Sequence, residues 1–293
     1  MASEFKYAGN DFVPTLRHDT YPEINPLNVD LHGKTVVITG ASKGIGRAIA
    51  LSFAKSGVSG LVILARSDLA SLENEILAVA EEASRSQPKV LRLAFDITDR
   101  TQVESAARQV ESTFGGVDIL VNNAGYLDSF DAFADTDPDD WWRTYEVNVK
   151  GVYLMARAFL PLVLKSNDKT IIACASIGAV STQPGMSAYQ SSKTAVVRLN
   201  DLLMVDYGEQ GLLAYAIHPG GVWTDMAEKM PKHTHPLFVD TAELAGDFLV
   251  WLTRKRREWL AERYINVTWD VSELLMRKDE IVQNDLLKLR MRV

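Results

Sequence analysis

Short apolar runs recur along the chain, each followed by a longer stretch with helical spacing of its apolar residues. The runs are Thr35-Val-Val-Ile38, Leu61-Val-Ile-Leu64, Val90 to Phe95, Val117 to Val121, Thr170 to Ala175 and Leu212 to Ile217. A strand that is apolar at successive positions must be covered on both faces, whereas a half-exposed strand alternates apolar with polar. Strands that alternate with helices build a parallel sheet, because each return to the same edge needs a crossover. The helical stretches end near Lys55 and run over Asp68 to Ser84, Thr101 to Phe114, Asp137 to Leu164 and Ser187 to Glu209. Gly57 follows the first as a C-terminal cap, and Asp137-Pro138 opens the fourth with an N-cap and a proline at the first helical position. The six runs predict one α/β domain with helices on both faces of a parallel sheet, with no internal repeat beyond the alternation.

The length of 293 residues suits a single large domain, and a hydrophobic share of 47% supplies its core. Residues 1–33 carry proline, asparagine, aspartate and aromatics without periodicity, and are expected to form an extended arm on the surface of a domain over 34–293. The net charge of −7 argues against a nucleic-acid partner. The basic run Arg254-Lys-Arg-Arg257 follows an apolar stretch and reads as a helix end facing solvent. The single cysteine, Cys174, lies in an apolar run and fits a packed core thiol in a reducing compartment. No apolar run approaches the roughly 20 residues of a membrane span, and no leader pattern opens the chain, so no membrane partner and a cytoplasmic location are expected.

Two local patterns carry chemistry. After the first run comes Thr39-Gly40-Ala-Ser42-Lys43-Gly44-Ile45-Gly46, leading into a helix. Glycines at such a turn let the backbone approach a pyrophosphate, and unpaired N–H groups at the helix start meet its charge. Further on, Tyr189 and Lys193 stand four apart, so on a helix they share a face. A phenol, with an ordinary pKa of about 10, donates a proton readily at neutral pH but is a poor base, and a nearby ammonium favours its ionised form. Ser176 stands at the end of the fifth run.

The glycine turn, Ser176 and Tyr189-Gln-Ser-Ser-Lys193, in this order, resemble the short-chain dehydrogenase/reductase family over roughly residues 34 to 267. The resemblance implies a Rossmann-type doubly wound parallel sheet of about seven strands and hydride transfer between a nicotinamide and a carbonyl or alcohol carbon. It assigns the cofactor to Gly40, Ser42, Lys43, Gly44, Ile45 and Gly46 at the turn. Asp96 and Ile97 match the adenine-contacting pair, and Asn122-Asn-Ala124-Gly125 matches a motif that supports the sheet and contacts ribose. Pro219, Gly220, Val222 and Thr224 match the segment that packs on the nicotinamide. Tyr189 becomes the general acid/base. Lys193 lowers its pKa and binds the nicotinamide ribose, Ser176 orients the substrate oxygen, and Asn148, interrupting a helix, holds a water in a proton relay.

NAD-binding members place a carboxylate at the end of the second strand, where this chain has Ala65 followed by Arg66. Arg66 and Lys43 then suit a 2′-phosphate, which points to NADP(H). The alternative keeps both as surface cations, with Asp68 holding the ribose of NAD(H). His218 reads as structural, and His233 with His235 lack a third ligand, so no metal is expected. Residues of about 223–240 correspond to the family's substrate lid, and 268–293 form a C-terminal extension. Tyr126, Leu127, Gln183, Met186 and Trp223 suggest a roomy apolar pocket for a small carbonyl or alcohol substrate. Stretches near Asp19 to Pro26 and Arg263 to Trp269 resemble reductases of filamentous fungi, which implies work on a secondary metabolite or a xenobiotic ketone. Family members commonly pair through the two long helices, so a homodimer or homotetramer is expected. Two other readings remain open: a lyase or isomerase using the tyrosine without net redox, and a nicotinamide-binding protein without turnover.

Overall fold

The computed structural model describes residues 9–291. Its strands are β1 (Thr35–Thr39), β2 (Gly60–Ala65), β3 (Lys89–Ala94), β4 (Ile119–Asn122), β5 (Thr170–Cys174), β6 (Leu213–His218) and β7 (Tyr264–Asn266). They form one sheet in the order β3-β2-β1-β4-β5-β6-β7, and every pairing is parallel. The chain builds outward from β1 in one direction, returns to the centre, and builds outward from β4 in the other. That reversal leaves a crevice at the carboxyl ends of β1 and β4, where open α/β sheets bind ligands.

The helices are α1 (Gly44–Lys55), α2 (Ala70–Glu82), α3 (Arg100–Phe114), α4 (Pro138–Tyr145), α5 (Val152–Leu164), α6 (Ser187–Tyr207), α7 (Asp225–Glu228), α8 (Ala242–Thr253), α9 (Val271–Met276) and α10 (Lys278–Gln283). The strands show why their runs lacked alternation. Val36 and Ile38 of β1 join a cluster with Phe53 of α1 and Phe248 of α8, while Val37 joins another with Val110 of α3 and Phe159 of α5. In β2, Leu61 and Ile63 face the first cluster and Val62 and Leu64 the second. Successive side chains point to opposite faces, and both faces are buried.

Asp137 caps α4 as its spacing predicts, accepting the N–H groups of Asp139 and Asp140 at 2.8 and 3.1 Å. A π-helical segment, Glu146–Gly151, joins α4 to α5 without a break. The expectation that no stretch is long and apolar enough to span a membrane is thereby corrected. Pro138–Leu164 runs 27 residues with a window of mean hydropathy 1.4, but 61% of that window is buried inside the protein. It is a core helix, apolar because it packs on the sheet.

Two further readings are corrected. Arg257 does not face solvent: it is 1% exposed, stacks 3.7 Å from the Trp251 ring centroid and donates to the Trp251 carbonyl at 3.2 and 3.4 Å. Burial, with Arg254 nearby, lowers its pKa to about 10. Arg256 likewise donates to the carbonyls of Asp168 and Gly211 at 2.6 and 2.8 Å. The arm also does more than lie on the surface. Val13, Tyr21, Ile24 and Leu31 are buried in the first cluster. Leu16 bridges Trp269 in antiparallel fashion, Thr15 binds Glu273, and Arg17 pairs with Asp270 at 2.7 Å. The arm can enter the core because the tail supplies partners for its polar groups.

Candidate active site

The glycine turn joins β1 to α1. Gly40 adopts φ +65°, in the left-handed region, and a Cβ there would lie 2.9 Å from Ala124 Cα. A Cβ on Gly46 would overlap the Gly40 carbonyl and crowd the Asn123 amide. The turn is therefore a cradle that only glycine permits. Lys43 occupies the N-cap position of α1 and forms an ion pair with Asp225. Ser42 and Ile45 are half-buried beside it. Thr224 lies against Gly44, so the turn and the lid's first residues meet.

The turn is wired to β4 by Asn123. Its Nδ2 donates to the carbonyls of Thr39 and Gly40 at 3.0 and 3.2 Å, and Thr39 Oγ1 accepts the N–H groups of Asn123 and Ala124 at 3.0 Å each. The Asn122 side chain does not take part. It is 2% exposed, finds no hydrogen-bond partner among the described residues, and lines a cavity of about 460 Å³ between α5 and α6. Of the two asparagines, the residue just past the strand reaches the turn, and the strand residue points to the helices. Gly125 lies beside Asn148 Oδ1 and Lys193 Nζ.

Ala65 ends β2 and is buried, with Arg66 exposed next to it. Asp68 accepts the Ala70 N–H at 3.2 Å near the start of α2. The Asp96 carboxylate accepts from Thr98 N and Oγ1 at 2.9 and 2.8 Å and pairs with Arg143 at 2.7 Å. Partial burial opposes ionisation, but these bonds hold the group below the usual carboxylate range. Ile97 packs on Gly151, where a Cβ would meet its Cδ1 at 2.6 Å. The side chains of Asp96 and Ile97 are thus engaged by the helix that carries Asn148.

The polar residues singled out for chemistry converge at the ends of β4 and β5. Ser176 follows β5 and accepts the Gly178 N–H at 3.0 Å, and its hydroxyl and the Tyr189 ring both lie against Gly178. Lys193, one turn along α6, donates to the Cys174 carbonyl at 2.8 Å with Nζ 5.6 Å from the Tyr189 ring centroid. Asn148 sits in the π segment, 0% exposed. It accepts the Tyr126 N–H at 2.8 Å and donates to the Tyr126 carbonyl at 2.9 Å and to Ser192 Oγ at 3.0 Å. Ser192 in turn donates to the Tyr189 carbonyl at 2.7 Å. The chain Asn148–Ser192–Tyr189, closed through Ser192, was not anticipated; its signal is the serine directly before the lysine of Tyr-x-x-x-Lys. π-Helical segments inside α-helices recur at functional sites, and this one places the asparagine.

Burial raises the Tyr189 pKa, with the nearby Ser176 hydroxyl opposing it. Burial likewise drives Lys193 down, to about 8. A protonated phenol is a ready proton donor. Cys174 is buried, its thiol pushed up to about 12, and is inert. Burial lowers His218 to about 4, so it is neutral at pH 7.

Pro219 to Thr224 leave the carboxyl end of β6. Gly220 has φ +89°, Val222 is buried, and Thr224 caps α7, accepting the Ala227 N–H at 3.3 Å. Trp223 is exposed and stands edge-on to His235 and Phe238, with centroids 4.8 and 6.1 Å away. His235 is held by the Met230 carbonyl at 2.8 Å, and His233 is exposed. Of the expected pocket residues, Leu127 and Met186 are buried, Gln183 is half-buried, and Tyr126 donates its hydroxyl to Asp140 at 2.6 Å.

Sheet order, switch point and glycine cradle define a Rossmann-like dinucleotide-binding fold with a Ser/Tyr/Lys/Asn cluster at its mouth. The chain belongs to the short chain dehydrogenase family, whose model matches residues 34–235. It is 48% identical over 284 residues to the short chain dehydrogenase citE of Monascus ruber, covering 97% of each chain. It is 43% identical over 291 residues to the short chain dehydrogenase andI of Emericella variicolor, covering 99% of this chain and 98% of that one. Among solved structures, levodione reductase superposes with a TM-score of 0.73 at 22% identity, covering 81% of this chain and 97% of that one. A short chain dehydrogenase of Escherichia coli CFT073 complexed with NADPH gives 0.71 at 23% identity, covering 85% of this chain and 100% of that one. At these identities the solved structures speak to the fold alone.

Proposed function

We propose that the protein is an NADP-dependent reductase of ketones or aldehydes, or in reverse a dehydrogenase of secondary alcohols. The observation that carries this reading is the joining of Ser176, Tyr189, Lys193 and Asn148 at one mouth, beside a turn that only glycines permit. The cradle fits a dinucleotide: the missing Cβ atoms at Gly40 and Gly46 leave backbone room, and α1 begins there. Ser42, Lys43, Gly44 and Ile45 would line the pyrophosphate, and Ala124, Gly125 and Lys193 the ribose. Pro219, Gly220, Val222 and Thr224 would line the nicotinamide. Ala65 and Arg66 in place of a carboxylate favour the 2′-phosphate of NADP(H) over NAD(H), in keeping with the NADPH complex of the E. coli relative in fold. When bound, the cofactor supplies the hydride.

The residues of the chain handle the oxygen and the proton. Ser176 hydrogen-bonds the substrate oxygen and orients it as negative charge develops. Tyr189, held protonated by burial, gives its proton to that oxygen. Lys193 stabilises the phenolate that remains. Asn148 fixes the Tyr126 backbone and, through Ser192, the start of the Tyr189–Lys193 turn. The lid aromatics Trp223 and Phe238 favour an apolar carbonyl compound, and the likeness to short chain dehydrogenases of Monascus ruber and Emericella variicolor supports reading it as a fungal secondary metabolite. A cytoplasmic enzyme paired through α5 and α6, where Tyr153, Leu202 and Val205 are exposed, completes the reading.

The test is NADPH and NADH oxidation against a panel of ketones, aldehydes and diketones, with wild type and Tyr189→Phe side by side. Wild type is expected to oxidise NADPH faster than NADH. The variant is expected to lose about 10²–10⁴-fold in kcat while still binding NADPH, the range for loss of a positioned proton donor. Equal turnover in the two proteins sinks the mechanism.

A further inference from the structure

The neck of the lid is closed from outside the region that the family model matches. Asp240 lies just before α8 and pairs with Val222 in a parallel bridge. Its N–H donates to the Gly221 carbonyl at 2.9 Å, and its carboxylate Oδ2 accepts the Gly221 N–H at 2.5 Å. The other oxygen, Oδ1, meets Nδ1 of His18 on the arm at 2.6 Å. The carboxylate side chain is 5% exposed and the imidazole 54%. There is no slack at this point: a Cβ on Gly220 would lie 2.8 Å from Asp240 Oδ2, and one on Gly221 would overlap the Leu237 carbonyl.

The arm holds this junction by its backbone as well. Thr241 N–H donates to the His18 carbonyl at 2.9 Å, and Thr241 Oγ1 to Asp19 Oδ1 at 2.8 Å. Thr20 Oγ1 donates to Asp247 Oδ2 on α8 at 2.5 Å, and Asp247 Oδ1 accepts Ser52 Oγ of α1 at 2.7 Å. Residues 18–20 thus tie the lid's neck to the helix that follows the glycine turn.

We propose that His18 and Asp240 are positioning residues: the arm clamps the neck so that the segment Gly221–Thr224 keeps one placement against the nicotinamide. The proposal rests on the cofactor reading above. A backbone N–H given to a carboxylate is a short, charge-assisted bond, and the imidazole N–H on the second oxygen fixes the orientation of that carboxylate. Without His18 the carboxylate can rotate toward water and release Gly221, and with it Val222 and Thr224. Side chains that align reacting groups act through such second contacts.

Hydrogen–deuterium exchange on the full-length protein, with and without saturating NADPH, tests this in wild type, His18→Ala, His18→Asn and Asp240→Asn. In His18→Ala, amides of residues 220–224 are expected to exchange about tenfold faster or more, with α3 unchanged. His18→Asn is expected to restore slow exchange, because its amide places an N–H where Nδ1 stood. Asp240→Asn keeps the size and one acceptor and is expected to fall between the two. Unchanged exchange at 220–224 in His18→Ala, an even rise across all peptides, or no rescue by asparagine overturns the clamp. NADPH is expected to slow exchange at 220–224 in the wild type. Binding seen by nicotinamide fluorescence without that slowing overturns the cofactor assignment of Val222 and Thr224 rather than the clamp.

Discussion

The region over 34–235 and the paired termini around it are held by different physics. Inside the first, contacts follow a ladder: parallel register from β3 to β6, with apolar side chains alternating between two faces. The termini have one short strand between them, β7, and rely on individual side chains that reach across the sequence. Thr15 meets Glu273 across 258 residues, Arg17 meets Asp270 across 253, and the Trp269 indole donates to the Gly9 carbonyl across 260. A ladder spreads its energy over many similar contacts, whereas a seam of this kind concentrates it in a few. The site draws on both, since its turn belongs to the ladder and its lid is anchored in the seam.

The sharpest way to break this contrast is at Trp269, which is fully buried between arm and tail. Trp269→Ala is expected to cost about 3–5 kcal/mol, the range for emptying a large aromatic site, read as a drop in Tm or in the urea midpoint. A loss under about 0.5 kcal/mol, within the range of an ordinary surface change, would mean that the termini only decorate the sheet.

A smaller effect is expected at the turn. Asn123→Ala removes both bonds to the Thr39 and Gly40 carbonyls and is expected to weaken NADPH binding by about 1–3 kcal/mol, the cost of unpairing such groups. Asn122→Ala, by the same fluorescence titration, is expected to leave binding alone. Reversed outcomes would return the cofactor role to Asn122.

The smallest effect belongs to the seam's ion pair. Partial burial opposes ionisation of Asp270, but Arg17 and the N–H groups of Glu273 and Ser272 hold its pKa below the ordinary value. A carboxylate depressed in the folded state stabilises the fold above its unfolded pKa, about 3.9, and loses that contribution as pH falls through the folded value. Arg17 is 41% exposed, so solvent screens the pair. The stability gap between wild type and Arg17→Leu is expected to stay under about 1 kcal/mol at pH 7 and to close on acidification below about pH 4. A gap that widens with acid contradicts the assignment.

The legible parts of the molecule are those written in short spacings. The six apolar runs, the Asp137 cap, the glycine turn and the four-residue step from Tyr189 to Lys193 each need only local geometry, and each appears where its spacing puts it. What was hidden depends on distance or on context. β7 has three residues, too few to stand out as a run. Arg257 reads as a solvated charge until Trp251 is folded against it. Asn122 and Asn123 look equivalent in a motif, and only the end of β4 separates them. The Tyr189 pKa turns on burial, which no spacing encodes.

The π segment at Glu146–Gly151 has a consequence for how this chain tolerates length changes. A π turn accommodates one more residue than an α turn, and one residue advances an α-helix by about 100°. The segment therefore takes up one extra residue between α4, which carries Trp141, Trp142 and Tyr145, and α5, which carries Phe159 into the sheet, without turning one against the other by that angle. Removing one residue between 146 and 151 would let the helix run regular with both faces kept, and the change would fall on the segment itself, swinging Asn148 off Tyr126 and Ser192. A residue added to or removed from the regular part of α4 or α5 instead turns everything beyond it by that angle. This stretch thus tolerates a change of length that the helices around it do not, at the cost of the asparagine's placement.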